Sequence, residues 1–97
     1  MNDNIPNEKY FEEMRFKTIS DFKWAVKYGA EIEIEWNNKS YFINQPNGII
    51  TIHEEDRYSE AKEYKTADEA LKYVIDGKRL IKIITNVKVW NRMIYIC

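Results

Sequence analysis

Glu31-Ile-Glu-Ile-Glu-Trp36 alternates charged and apolar residues without a break, and is followed by Asn37-Asn38 and then Lys39-Ser-Tyr-Phe-Ile43. A strand repeats every two residues, so Ile32, Ile34 and Trp36 share one sheet face while Glu31, Glu33 and Glu35 share the other. Asparagine tolerates positive φ better than other residues with a side chain, and the Asn pair fits a two-residue type I′ turn. That turn sets the register. Ile34 should face Tyr41 and Ile32 should face Ile43 on the core side, with Glu33 opposite Phe42 and Glu35 opposite Ser40 on the outer side.

Moving outward, Gln45-Pro-Asn-Gly48 reads as a second turn and 49–53 as a third antiparallel strand, with Ile50 and Ile52 inward and Ile49, Thr51 and His53 outward. Upstream, Thr18-Ile-Ser-Asp21 has the form of a capping box that opens a helix running to about Tyr28. Ile19, Phe22 and Val26 then share a side with Ala25 next to it, Trp24 and Tyr28 share a different, lysine-flanked face, and Gly29 ends the helix. Residues 53–65 are charged and without a clean period, and read as a loop or a ragged edge strand carrying Tyr58 and Tyr64, mostly loop.

Thr66-Ala-Asp-Glu69 is a second capping box, and Ala67, Ala70, Leu71 and Val74 continue it at helical spacing to Gly77. Residues 78–87 fit either a helix or a strand, and the spacing of Leu80, Ile83, Ile84 and Val87 favours a short helix. The expectation is one α+β domain over 1–97: a three-stranded antiparallel sheet with helices on one face, in the order α-β-β-β-α-α. Residues 1–10 should be loose, and 87–97 stay open between an added strand and an apolar tail that packs on the sheet or on a second chain as a homodimer.

A chain of 97 residues buries only about 60–65% of its unfolded surface, enough for one core and not for a deep cleft between domains. No stretch approaches the roughly 18 apolar residues of a membrane span, and the polar, acidic start does not resemble a signal peptide, so a cytoplasmic protein without membrane contact is expected. The lone cysteine, Cys97, cannot close an intrachain disulfide.

Chemistry is sparse. One His, three Ser and a terminal Cys give little from which to assemble a nucleophile with its base, so the expectation is a protein that is not an enzyme. Glu54, Glu55 and Asp56 next to His53 alternate in direction on a strand and do not converge on a metal, so no metal ligand is named. Gly29, Gly48 and Gly77 are isolated, so no Gly-rich loop cradles a phosphate, and no cofactor is expected.

Charge carries more information than its total. The chain has 15 basic and 16 acidic residues, yet 31–76 holds eleven acids and five bases while 77–97 holds five bases and no acid, giving blocks of −6 and +5. Two binding surfaces follow from this division. An acidic one would comprise Glu31, Glu33, Glu35, Glu54, Glu55 and Asp56, and would face a cationic groove on a host protein. The alternative is a nucleic-acid-binding or regulatory module, in which Lys78, Arg79, Lys82, Lys88 and Arg92 meet a phosphate backbone while Trp90 and Tyr95 stack bases.

The segments Ser20-Asp-Phe-Lys-Trp-Ala-Val-Lys-Tyr-Gly29, Glu31-Ile-Glu-Ile-Glu-Trp36, Lys39-Ser-Tyr41, Tyr64-Lys-Thr-Ala-Asp-Glu-Ala-Leu71 and Ile75-Asp-Gly-Lys-Arg-Leu80 resemble small proteins of low-GC Gram-positive bacteria, their prophages and mobile elements. The resemblance covers roughly 19–85 and rests on caps, turns and a hairpin, so it implies fold more than activity. Separately, the expected element order and acidic sheet are similar to small phage anti-CRISPR proteins, the inhibitors of type II CRISPR nucleases. That similarity implies a protein that occupies the DNA-reading surface of such a nuclease with carboxylates in place of phosphates. No specific inhibitory motif transfers, and no functional residue is carried over from it.

Overall fold

A computed structural model describes residues 7–94. The fold is α+β and antiparallel as expected, but its main sheet has five strands where three are expected, and the element order differs from the expected α-β-β-β-α-α by an added first helix and by strands between and after the later helices. The elements are α1 (Glu8–Met14), α2 (Ile19–Lys27), β1 (Glu31–Trp36), β2 (Lys39–Asn44), β3 (Ile50–Glu54), a 3₁₀ turn (Tyr58–Glu60), β4 (Lys62–Tyr64), α3 (Ala67–Ala70), β5 (Val74–Ile75), β6 (Lys78–Arg79), α4 (Leu80–Ile83) and β7 (Lys88–Met93). Strands run β4-β3-β2-β1-β7 across the main sheet, and β5-β6 is a separate small hairpin. Tyr95 and Cys97 lie outside the described residues, as do residues 1–6 of the expected loose start.

The β1–β2 register is the one read from the Asn pair, Ile34 opposite Tyr41 and Glu33 opposite Phe42, and both asparagines have positive φ. The α2 capping box is also present: Thr18 accepts from the Asp21 N–H at 3.1 Å, and the Asp21 carboxylate accepts from the Thr18 N–H at 3.1 Å. Phe22, Ala25 and Val26 are buried by α2, whereas Ile19 is on the surface.

Three expectations are corrected. Glu8, Lys9 and Tyr10, placed in the loose start, form the first turn of α1, which is capped by the Asn7 side chain. Within 53–65, the edge-strand alternative is met at Lys62–Tyr64, which pairs with β3 at the far edge of the sheet. The helix begun at Thr66 has only four residues, because the chain turns back at Asp76-Gly77 as the β5–β6 hairpin and leaves Val74 exposed. Asp76 (φ 50) and Gly77 (φ 81) both take positive φ, the signature of a type I′ turn, so Gly77 serves a hairpin and caps no helix.

Of the short helix favoured for 78–87 only Leu80–Ile83 forms, as α4, while Lys78–Arg79 is the strand β6; the open C-terminal alternative resolves as β7, antiparallel to β1. Val87 and Val89 are thereby taken into the chain's own core. One buried cluster joins the inner sheet face (Ile32, Ile34, Tyr41, Ile43, Ile50, Ile52, Val89) to Phe22, Leu71, Leu80 and Ile84 from the helical side. Phe16, in the α1–α2 linker, is completely buried in the same cluster and meets Phe22 edge-on at 5.5 Å.

No helix among the described residues is long and apolar enough to cross a membrane.

Candidate functional site

Alternation along β1 carries Glu31, Glu33 and Glu35 to the outer sheet face, and the hairpin sets Glu33 beside Phe42 and Glu35 beside Ser40. On the next strand Phe42 faces His53. The Glu55 N–H donates to the Ser40 carbonyl at 2.8 Å, which extends the ladder past β3 and brings Glu55 toward the β1 carboxylates. Burial, and after it the Glu55 charge, pushes the Glu33 carboxyl above its ordinary value. Glu33 is thus a half-buried carboxylate to which Glu55 adds a smaller like-charge repulsion.

The remaining acidic residues go elsewhere. Glu54 is opposite Tyr41, on the inner side of the sheet, and sits 3.7 Å from the Arg57 guanidinium. Burial first, then the Glu54 and Asp76 charges, pushes the Tyr41 phenol up to about 12. Asp56 takes positive φ in the turn after β3. Grouping Glu54, Glu55 and Asp56 as one face is corrected by the same alternation that groups the β1 glutamates: adjacent strand residues point oppositely, and the turn redirects the third.

Glu35 is partly committed within the fold. The register between β1 and β7 jumps from Glu33 opposite Asn91 to Ile34 opposite Val89, leaving Trp90 as an extra residue in a bulge. Its indole N–H donates to the Glu35 carboxylate at 3.0 Å, and its ring meets Phe11 of α1 edge-on at 4.9 Å. Glu35 also faces Lys88 across the ladder. The acidic and basic stretches of the sequence thus meet along β1 and β7.

This arrangement divides the proposed basic set. Trp90 is held by Glu35 and Phe11, the Lys88 ammonium is 5.2 Å from the Phe11 ring, and the Arg92 guanidinium is 5.2 Å from the Phe16 ring. Lys78, Arg79 and Lys82 line a separate groove on the helical side. The six residues do not form one surface, because β7 joins the main sheet while β6 belongs to a separate hairpin and α4 packs Leu80 and Ile83 into the core.

An aromatic row was missed by sequence reading. Phe42, His53 and Tyr58 stack in series with centroids 5.6 and 4.6 Å apart. His53 Nδ1 is 3.0 Å from the Glu54 carbonyl oxygen, which can only accept, so Nδ1 is the donor. His53 falls in outward register as expected, yet is buried beneath its neighbours. The alternation gives Phe42 and His53; Tyr58 enters from a 3₁₀ turn that has no periodic signal.

A raised Glu33 carboxyl opposes folding in full above its raised value; this opposition fades as the pH falls through that value and is gone below about 4.5. Glu33→Gln is therefore expected to raise Tm at pH 7 by roughly 1–3 °C and to lose the gain on acidification. Paired melts from pH 7 to pH 4 check this; a constant difference would mean that neither burial nor Glu55 raises the Glu33 carboxyl.

No group of three or more His, Cys, Asp or Glu among the described residues is placed to hold a metal ion. No protein-family model, curated protein or solved structure matches the chain.

Proposed function

We propose that the protein is a non-enzymatic binding module that docks its outer sheet face onto a cationic surface of a host protein that handles nucleic acid. A type II CRISPR nuclease is the partner class suggested by the sequence resemblance. The observation that carries this reading is the set of carboxylates on one sheet face, Glu31 exposed and Glu33 half-buried on β1 with Glu55 tied to neighbouring β2, beside the exposed Tyr58. Carboxylates held close together are disfavoured in the free protein, and an Arg or Lys from a partner relieves that cost. The neighbouring Phe42 and Tyr58 rings supply contact area of the kind that anchors interfaces.

Glu31, Glu33 and Glu55 are the residues assigned to this face, with Glu35 contributing through its free oxygen. The test uses a purified type II CRISPR nuclease loaded with guide RNA. Tight binding that weakens with salt, and DNA cleavage that slows as the protein is added, are expected. Replacing Glu31, Glu33 and Glu55 together by Gln should weaken binding by roughly tenfold or more, while Glu69→Gln on α3 should leave it unchanged. Undiminished binding by the folded triple variant overturns the role of the acidic face, and absence of binding overturns the partner class.

A further inference from the structure

Two tight turns are tied together at one end of the sheet. The Asp76 carboxylate, in the β5–β6 turn, accepts from the Asn37 amide and the Lys39 ammonium of the β1–β2 turn, both at 3.0 Å. These hydrogen bonds, and then the Lys39 charge, hold the Asp76 carboxyl below its ordinary value, so it stays ionised and occupied. The hairpin is anchored on its other side as well. The Leu80 N–H donates to the Tyr73 carbonyl at 2.7 Å, and the Ile81 N–H donates to the Leu71 carbonyl at 2.9 Å.

Beside this anchor lies an open groove of about 540 Å³. Trp36, the last residue of β1, and the buried Ile83 supply its apolar surface; Lys78, Arg79, Lys82 and Asn86 supply its polar groups, and Gly77 completes it. No carboxylate lines it, and among the described residues none of its three cations is in an ion pair. The other large groove, beside Trp24, differs in this respect because its Lys23 is paired with Asp68 at 2.9 Å.

We infer that the Trp36 groove binds a short stretch of single-stranded nucleic acid, with phosphates on Lys78, Arg79 and Lys82 and a base stacked on the Trp36 indole. Three unpaired cations match about three consecutive phosphodiesters, and an indole accepts any base face. A nucleoside triphosphate carries similar charge, but a site for it ordinarily uses backbone N–H groups from a Gly-rich loop or a long helix start. Here Gly77 is a single glycine inside a hairpin turn, and α4 has only four residues. The groove lies on the helical side of the sheet, away from Glu31, Glu33 and Glu55, so it stands independently of the acidic-face reading.

Fluorescence anisotropy of a labelled ten-nucleotide oligothymidine, measured with the full chain at several salt concentrations, tests the inference. Binding is expected with a log–log salt slope of about −2, from about 0.7 per phosphate over three contacts. Combined Lys78→Gln, Arg79→Gln and Lys82→Gln, all at exposed positions, should reduce affinity at least tenfold and flatten the slope. Trp36→Leu should reduce affinity roughly tenfold with little change in slope, and Trp36→Phe should recover most of it. Lys62→Gln with Lys72→Gln, removing two charges elsewhere, serves as the control for general surface charge. Equal loss in that control, no oligonucleotide binding at low salt, or ATP competing at the oligonucleotide's own affinity would each overturn the proposal.

Discussion

A chain ending at Asn86 is expected to show no cooperative unfolding transition. Removing 87–97 takes Val87 and Val89 from the core, where their exposures are 1% and 0%. Burying two such side chains contributes about 3–6 kcal/mol, against a total stability of about 5–15 kcal/mol for a domain of this size. The loss also removes the β1–β7 ladder, uncovers the edge of β1 beside Ile32 and Ile34, and deprives α1 of the strand on which it packs. Tyr10 of α1 donates to the Trp90 carbonyl at 2.6 Å, so that helix loses its anchor together with the strand. Thermal and urea melts by circular dichroism, with binding of a hydrophobic dye, provide the measurement. A truncated chain that melts within a few degrees of the full chain would show that the segment is a dispensable tail.

Phe16→Ala is expected to cost about 3–5 kcal/mol, a large fraction of the total. Phe16 is not in a helix or strand, but its ring is completely buried against Phe22, with the Arg92 guanidinium 5.2 Å from its centroid. Alanine leaves a cavity that these neighbours can close only by leaving their own positions. Nearby contacts oppose such collapse: the Arg15 guanidinium donates to the Thr85 carbonyl at 2.8 Å and holds the linker to the chain after α4. Urea denaturation at equal m-value gives the loss, and Phe16→Leu should recover part of it. A change of less than about 0.5 kcal/mol for the alanine variant would remove Phe16 from the core.

The parts of the fold legible in the sequence are those whose local chemistry permits one geometry. An unbroken alternation and an Asn-Asn turn give β1, β2 and their register, and Thr18 with Asp21 gives the start of α2. Gly77 illustrates a local signal with two readings, since a left-handed glycine ends a helix or completes a type I′ turn. The preceding residue decides between them. Asp76 also adopts positive φ, and its carboxylate reaches Asn37, thirty-nine positions away in the chain.

Phe16 was missed, and β4 and β7 stayed open between alternatives, for a related reason. Each is set by partners distant in sequence: Phe16 by Phe22 and Arg92, β4 by β3, and β7 by β1. At the surface, strand alternation located Glu31, Glu33 and Glu35 correctly, but it could not show that Trp90 would bulge out to engage Glu35. The run of basic charge gave Lys78, Arg79 and Lys82 without the aromatic wall, because Trp36 lies on β1, more than forty positions earlier in the chain.

The position of β1 between β2 and β7 also bears on biosynthesis. The hairpin partner of β1 emerges from the ribosome directly after it, whereas β7 follows about 50 residues later. At about 5–20 residues per second, one side of β1 waits roughly 3–10 s for its neighbour. During that interval the nascent chain presents alternate glutamates along the waiting strand, and their mutual repulsion between chains on one polysome discourages the intermolecular pairing that an apolar edge would invite.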